Sequence, residues 1–242
     1  ELALQANVCE TMQSLLPLLR SRIDSRYKEA AQLRSKSIEE QNWSVKRAKA
    51  VTQTHTQHNI RPMSAMTFVM HITSQLTPNV IVVEEALTST HPLPQFLHQH
   101  HPDSFFGLAS GGLGFAIPGA VGVSMAKPGR PVVAIVGDGS AMYGIQGLWT
   151  AAHFKLPITY VIANNKGYRI IKERLVSMQG SDQFIGMDMN DPAIDYCKLA
   201  QSMGMSSVKV LHPGDLDSVL KASIQSGKPN LIEVMVSNGF SN

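Results

Sequence analysis

From Pro62 onward the chain alternates short runs of consecutive apolar, β-branched residues with helical stretches, and this alternation limits the fold more than any other feature. The runs are Val80–Val83, Val132–Val136, Ile158–Ala163, Ser207–Leu211 and Leu231–Val236. A strand with one wet face alternates apolar and polar residues. A run that is apolar at every position is buried on both faces, as in a parallel sheet covered by helices. Helical patterns fall between the runs, at 63–76, 115–126, 142–154, 191–203 and 215–226. The expectation is an α/β domain over 62–242, a doubly wound parallel sheet with helices on both faces.

The preceding residues follow another pattern. Residues 8–20, VCETMQSLLPLLR, read as the end of an amphipathic helix with Leu15, Leu18 and Leu19 on one face. Residues 21–61 are rich in Arg, Lys, Gln, Ser and Thr and read as a basic linker, helical in part. Ten Lys/Arg stand against six Asp/Glu in residues 1–62, whereas the remainder carries eleven against twelve, so the basic character belongs to the N-terminal segment. The overall excess of +3 is too small to imply nucleic-acid binding. With 43% hydrophobic residues and 16% charged, disorder is excluded for most of the chain. Cys9 and Cys197 form neither a metal-ligand pair nor a disulfide framework, which fits a reducing, cytoplasmic setting. No apolar stretch approaches the ~18–20 residues that span a bilayer, and the N-terminus lacks the order of a signal peptide, so a soluble protein is expected. The chain opens at Glu1 directly in a helical pattern, which leads to the expectation that residues 1–20 are the tail of a preceding domain in a longer polypeptide.

In doubly wound folds ligands bind beyond the carboxyl ends of the strands, so chemistry is sought in the residues after each run. The segment VVAIVGDGSAMYGIQGLWTAA is a buried strand, a turn containing Gly137 and Gly139, and a helix. Free N–H groups at that helix start favour a phosphate, with Ser140 as the N-cap and Asp138 facing the same mouth. Alone, the segment reads equally well as an ordinary strand-to-helix turn capped by Asp138. The next strand, in ITYVIANNKGY, ends on two carboxamides, and Asn165 lies 27 residues after Asp138. A carboxylate, a carboxamide and a backbone carbonyl are a suitable protein share for a hard cation such as Mg²⁺. Asp138, Asn165 and the Gly167 carbonyl supply that set, although Asn-Asn-Lys-Gly alone is also a common polar turn. Two familiar glycine motifs fail here. Gly112-Leu113-Gly114 is followed three places later by Ile117, not glycine, so there is no dinucleotide fingerprint, and Gly119 is followed by Ala120-Val121 where a P-loop needs Lys and Ser or Thr.

Together, Gly-Asp-Gly-Ser after one strand and Asn-Asn after the next resemble the bipartite cofactor motif of thiamine diphosphate-dependent enzymes. The resemblance runs from Ser110 through Tyr168 and, more loosely, from about Arg61 to the end. It is greatest to benzoylformate decarboxylases and their relatives among the 2-oxo acid decarboxylases and carboligases. It implies thiamine diphosphate and Mg²⁺ as cofactors, with Asp138, Asn165 and Gly167 at the metal and Gly137, Gly139, Ser140 and Tyr168 around the cofactor. It also implies that Leu113 wedges the cofactor into its bent conformation and that the Gly111 carbonyl accepts a hydrogen bond from its pyrimidine; by residue type alone Leu113 is a core leucine. Thr88 and Ser89 match the hydroxyl residues that touch the diphosphate, or else serve as a turn. The family's acid and base groups lie in regions preceding this chain, and its sites form against a pyrimidine-binding domain of another subunit. A homodimer or homotetramer acting on a 2-oxo acid, first an aromatic one, is therefore implied. Where benzoylformate decarboxylase has a small and an aromatic residue, this chain has Ile170 and Arg174, a pair of departures that narrows or polarises the pocket. A non-catalytic scaffold that keeps the fold is the alternative of another class.

Two further clusters have plainer readings. His91, His98, His100 and His101 suggest a metal site, but Pro92, Pro94 and Pro102 favour a solvated loop. Met63, Met66 and Met70 at helical spacing read as core.

Overall fold

The computed structural model describes residues 3–57, 60–99 and 101–240. The chain divides into two compact units, Glu1–Lys49 and Ala50–Asn242. The first contains α1 (Val8–Arg22), α2 (Ser25–Glu39) and the start of α3 (Trp43–His55). Its helix starts are set locally. The Asn7 carboxamide accepts from Glu10 N at 3.2 Å, and the Asp24 carboxylate accepts from Tyr27 N at 2.7 Å. Neither α1 nor α2 buries a residue, and Leu15, Leu18 and Leu19 are exposed. Residues 21–61, expected as a linker, are helical over most of their length, because Lys, Gln, Ala and Arg lose little rotamer freedom in a helix.

The second unit is built on six strands: β1 (Ile81–Glu85), β2 (Phe105–Gly107), β3 (Val132–Gly137), β4 (Ile158–Asn164), β5 (Ser206–Val210) and β6 (Asn230–Met235). All pairings are parallel, and the order is β2-β1-β3-β4-β6-β5. The helices are α4 (Ala65–Gln75), α5 (Leu93–Phe96), α6 (Ala116–Ala126), α7 (Asp138–Ala141), α8 (Gly147–His153), α9 (Arg169–Gln179), α10 (Tyr196–Ser202) and α11 (Pro213–Gln225).

Strand geometry explains the unbroken apolar runs. Val82, Val133, Ile135, Val161, Ile232 and Val234 enter one core with residues of α4 and α11. Their neighbours Ile81, Val83, Ala134, Val136, Ile162 and Leu231 enter a second core with residues of α6, α8 and α10. Successive side chains point to opposite faces, so nearly every position in β1, β3, β4 and β6 is buried. Met63 and Met70 are buried in the first core, with Met66 packed against it. The β5 strand departs from the expectation of burial on both faces: it lies at the sheet edge, and only Val210 is buried.

Several expected boundaries move. The helix expected over 142–154 is instead a run of turns over 142–146 followed by α8, with the short α7 just before it. Gly144 and Gly147 interrupt it and permit close approach: a Cβ on Gly144 would lie 3.1 Å from the Gly114 carbonyl, and one on Gly147 3.0 Å from Ile117. The pattern at 191–203 narrows to α10, which starts where the Asp195 carboxylate accepts from Lys198 N. The expected solvated loop of histidines carries α5, whose Leu93 and Phe96 are buried. His91, His98 and His101 are exposed, and His100 lies outside the described residues.

Candidate functional site

The strand order creates a crevice. From β1 the chain passes outward to β2 on one side, while β3 continues to β4 on the other, so the sheet changes winding direction between β1 and β3. The carboxyl ends of strands at such a point hold ligands in open α/β sheets. One cavity of about 330 Å³ opens there. Ala86, Leu87 and Thr88 line it after β1, and Leu108, Gly111 and Leu113 after β2. Gly137 ends β3 and Asp138, Gly139 and Ser140 follow it, while Asn165, Gly167 and Tyr168 follow β4. Four separate chain segments thus meet around one space.

Ten of the eleven residues named from the sequence line this cavity. The exception is Ser89, which is 2% exposed and lies outside the lining. Ser140 lines the cavity but does not cap the helix: α7 begins two residues earlier, with Gly137 at the N-cap position. Leu113 is 42% exposed, which rules out a core leucine; it is an apolar wall of an open mouth. Gly111 at φ +75° occupies the left-handed region that a side chain disfavours.

The oxygens converge on one backbone donor. Gly167 N–H is shared between Asp138 Oδ2 at 3.2 Å and Asn165 Oδ1 at 3.0 Å. Gly139 N donates to Asp138 Oδ1 at 2.9 Å, and the Tyr196 hydroxyl donates to the Asp138 backbone carbonyl at 2.8 Å. Asp138 is 3% exposed, and that burial raises its pKa from the ordinary 3.8 to about 6 despite the lowering effect of backbone hydrogen bonds from Gly139, Lys166, Gly167 and Asn165. A carboxylate kept in an environment that disfavours its charge is a functional candidate.

Close packing preserves this geometry. A Cβ on Gly139 would meet the Tyr168 ring at 2.8 Å, and one on Gly167 would meet the Met187 carbonyl oxygen at 2.7 Å. The Asn165–Tyr168 loop is fixed by Tyr168 N donating to the Met187 carbonyl and Met189 N donating to the Lys166 carbonyl. Buried Lys172 on α9 holds Asp188 of the same segment at 2.5 Å. Leu87, at φ +50°, places a bulky residue in a sparsely populated backbone region on the cavity wall.

Sequence reasoning missed Glu85. It is fully buried at the end of β1 and accepts from Gly114 N at 2.5 Å and Ala116 N at 2.6 Å. This carboxylate ties the end of β1 to the loop that carries Gly111 and Leu113. The available signal was a pair of glutamates, Glu84 and Glu85, closing an apolar buried run. Glu85→Ala leaves two backbone donors without that acceptor and is expected to lower unfolding stability by about 3 kcal/mol or more in a urea titration. A loss below about 1 kcal/mol would show that the tie is replaceable.

Fold and site together define a doubly wound α/β domain with a cavity at its switch point, where backbone amides and hard oxygen donors meet. The profile of the thiamine pyrophosphate enzyme C-terminal TPP binding domain matches residues 88–234, and the chain belongs to that family. Benzoylformate decarboxylase of Pseudomonas aeruginosa is 34% identical over 167 residues, covering 69% of this chain and 31% of the relative. The acetolactate synthase large subunit of Parasynechococcus marenigrum is 36% identical over 129 residues, covering 53% of this chain and 21% of the relative. Among solved structures, the thiamine diphosphate-dependent 4-hydroxybenzoylformate decarboxylase of Rhodococcus jostii superposes with a TM-score of 0.68 at 31% identity, covering 72% of this chain and 32% of the other. The chain therefore spans about a third of the length of such decarboxylases. No helix among the described residues is long and apolar enough to cross a membrane.

Proposed function

We propose that this chain is the cofactor-anchoring C-terminal part of a thiamine diphosphate- and Mg²⁺-dependent enzyme that decarboxylates a 2-oxo acid, first of all an aromatic one. The observation that carries the reading is the meeting of Asp138 and Asn165 oxygens in a cavity walled by a half-exposed Leu113. The donor set is all oxygen, as Mg²⁺ requires, and glycine at 139 and 167 permits the close packing of Tyr168 and Met187 that holds these oxygens together. Asp138, Asn165 and the Gly167 carbonyl would hold the metal, while Gly139, Ser140 and Thr88 would face the diphosphate. When bound, thiamine diphosphate supplies the electron sink for loss of CO₂. The chain's own residues orient it: Leu113 and the Gly111 backbone bear on its conformation, and Ile170 and Leu108 limit access by water. On this reading residues 1–20 end a preceding domain and 62–242 form the anchoring domain. The rest of the site comes from the pyrimidine-binding domain of another subunit, in a homodimer or homotetramer in the cytoplasm.

A second reading is an acetolactate synthase-like condensation, which the acetolactate synthase relative supports. Reaction of benzoylformate with the full-length protein, cofactor and Mg²⁺ separates the two. Benzaldehyde release is expected; an acyloin or acetohydroxy acid as the main product from added 2-oxo acids favours condensation. Absence of any CO₂ release from a panel of 2-oxo acids would favour the scaffold reading, which the retained Asp138 and Asn165 weigh against.

A further inference from the structure

A second cavity, of about 540 Å³, adjoins the first and shares Leu87, Thr88, Arg169 and Ile170 with it. Beyond that shared wall it is lined by His91, Glu173, Arg174 and Ser177. Its charges are unequally committed. Arg169 Nε lies 2.7 Å from Glu173 Oε1, and Arg169 Nη1 donates to the Ser237 carbonyl at 3.2 Å, so that guanidinium and that carboxylate satisfy each other. Arg174 is exposed and has no carboxylate within ion-pair distance and no side-chain acceptor among the described residues. A planar guanidinium with free donors, lining a concave space entered past Leu87 and Ile170, matches a carboxylate.

The spacing places it at the far end of a substrate. Ile170 lines both cavities and Arg174 only the second, one helical turn further along α9, an axial rise of about 6 Å. A phenylene ring or a short carbon chain bridges that span.

Resting on the reading of the first cavity as a 2-oxo acid site, we infer that Arg174 binds a second anionic group: the substrate is a 2-oxo acid with an apolar body and a distal carboxylate. Decarboxylation removes only the carboxylate beside the 2-oxo group, so the distal one stays on the product and serves recognition throughout.

The test compares 4-carboxybenzoylformate with 4-methylbenzoylformate, which share a ring and differ in that group, in the full-length enzyme loaded with thiamine diphosphate and Mg²⁺. The carboxylate is expected to raise kcat/KM about 10- to 100-fold, mainly through KM. Arg174→Met removes most of that ratio, and Arg174→Lys, a point charge without the fork, restores part of it. The pair 2-oxoglutarate and 2-oxopentanoate repeats the comparison for an aliphatic body. Calorimetry with the inert analogues terephthalate and 4-methylbenzoate reads the same preference without turnover. Equal kcat/KM for the members of each pair, or a ratio that survives Arg174→Met, overturns the anionic subsite and leaves 2-oxo acid decarboxylation standing. If no acid is turned over, the decarboxylation reading fails and calorimetry decides the subsite: a terephthalate preference lost in Arg174→Met supports it, and no preference overturns it.

Discussion

Replacing Asp138 with alanine is expected to weaken Mg²⁺-supported binding of thiamine diphosphate by the full-length protein more than about 100-fold in a calorimetric titration, while its far-ultraviolet circular dichroism stays unchanged. Two effects combine in the loss. The carboxylate is the one charged oxygen in the proposed metal set, and a hydrogen-bonded charged contact is worth about 1.5–3 kcal/mol before the metal's own bridging of the diphosphate is counted. The fold tolerates the change because burial works against the ionised carboxylate, raising its pKa to about 6. A folded-state pKa above the ordinary 3.8 means that the cofactor-free protein is favoured by this group below about pH 4, and that the contribution is lost as pH rises through about 6. Metal binding requires the ionised form and runs the other way: affinity falls as pH drops below about 6, and this dependence vanishes in the alanine variant. Asp138→Asn keeps the shape without the charge and is expected to bind as poorly as alanine. Full affinity in either variant would remove Asp138 from the metal set.

The parts of the molecule legible in the sequence are those where a local pattern has one physical cause. Consecutive burial in β1, β3, β4 and β6 leaves a run of apolar residues that nothing but a two-sided core explains. Segments whose form depends on remote partners were not legible. Phe105–Gly107 is too short to show a period, and it becomes a strand because Ser104 accepts from Val82 N and the run pairs with β1. That hidden strand completes the switch point, since it puts Leu108, Gly111 and Leu113 beside the end of β1. The α9 helix begins directly after the Asn-Asn-Lys-Gly loop and holds its amphipathic pattern for only three turns, too little to stand out among the expected helices. At the site, position after a strand pointed to Asp138 and Asn165, and the family resemblance pointed to Thr88 and Ser89, of which only Thr88 lines the cavity. The roles of Glu85 and Tyr196 were not legible, because each acts through a backbone group, 29 and 58 residues away in the chain respectively.

Leu113→Ala is expected to reduce turnover of the full-length enzyme by about 100-fold while changing cofactor affinity only a few-fold. The argument starts from exposure: a leucine that leaves 42% of its surface in a cavity contributes little to the core, so truncation spares the fold. It sits after β2, across the cavity from Asp138 and Asn165 after β3 and β4, and makes no contribution to the oxygen set that anchors the diphosphate. Its proposed effect is on the orientation of the reactive end, and a misplacement of about 1 Å at a reacting centre costs on the order of 100-fold in rate. Loss in kcat with affinity retained is what separates an orienting wall from an anchoring one, because an anchor that binds ground and transition states alike would appear in affinity first. Leu113→Ile restores bulk with a different shape and is expected to recover part of the rate. If alanine lowers affinity and rate together, Leu113 belongs to the anchor; if it alters neither, the wall is supplied by other residues around the cavity.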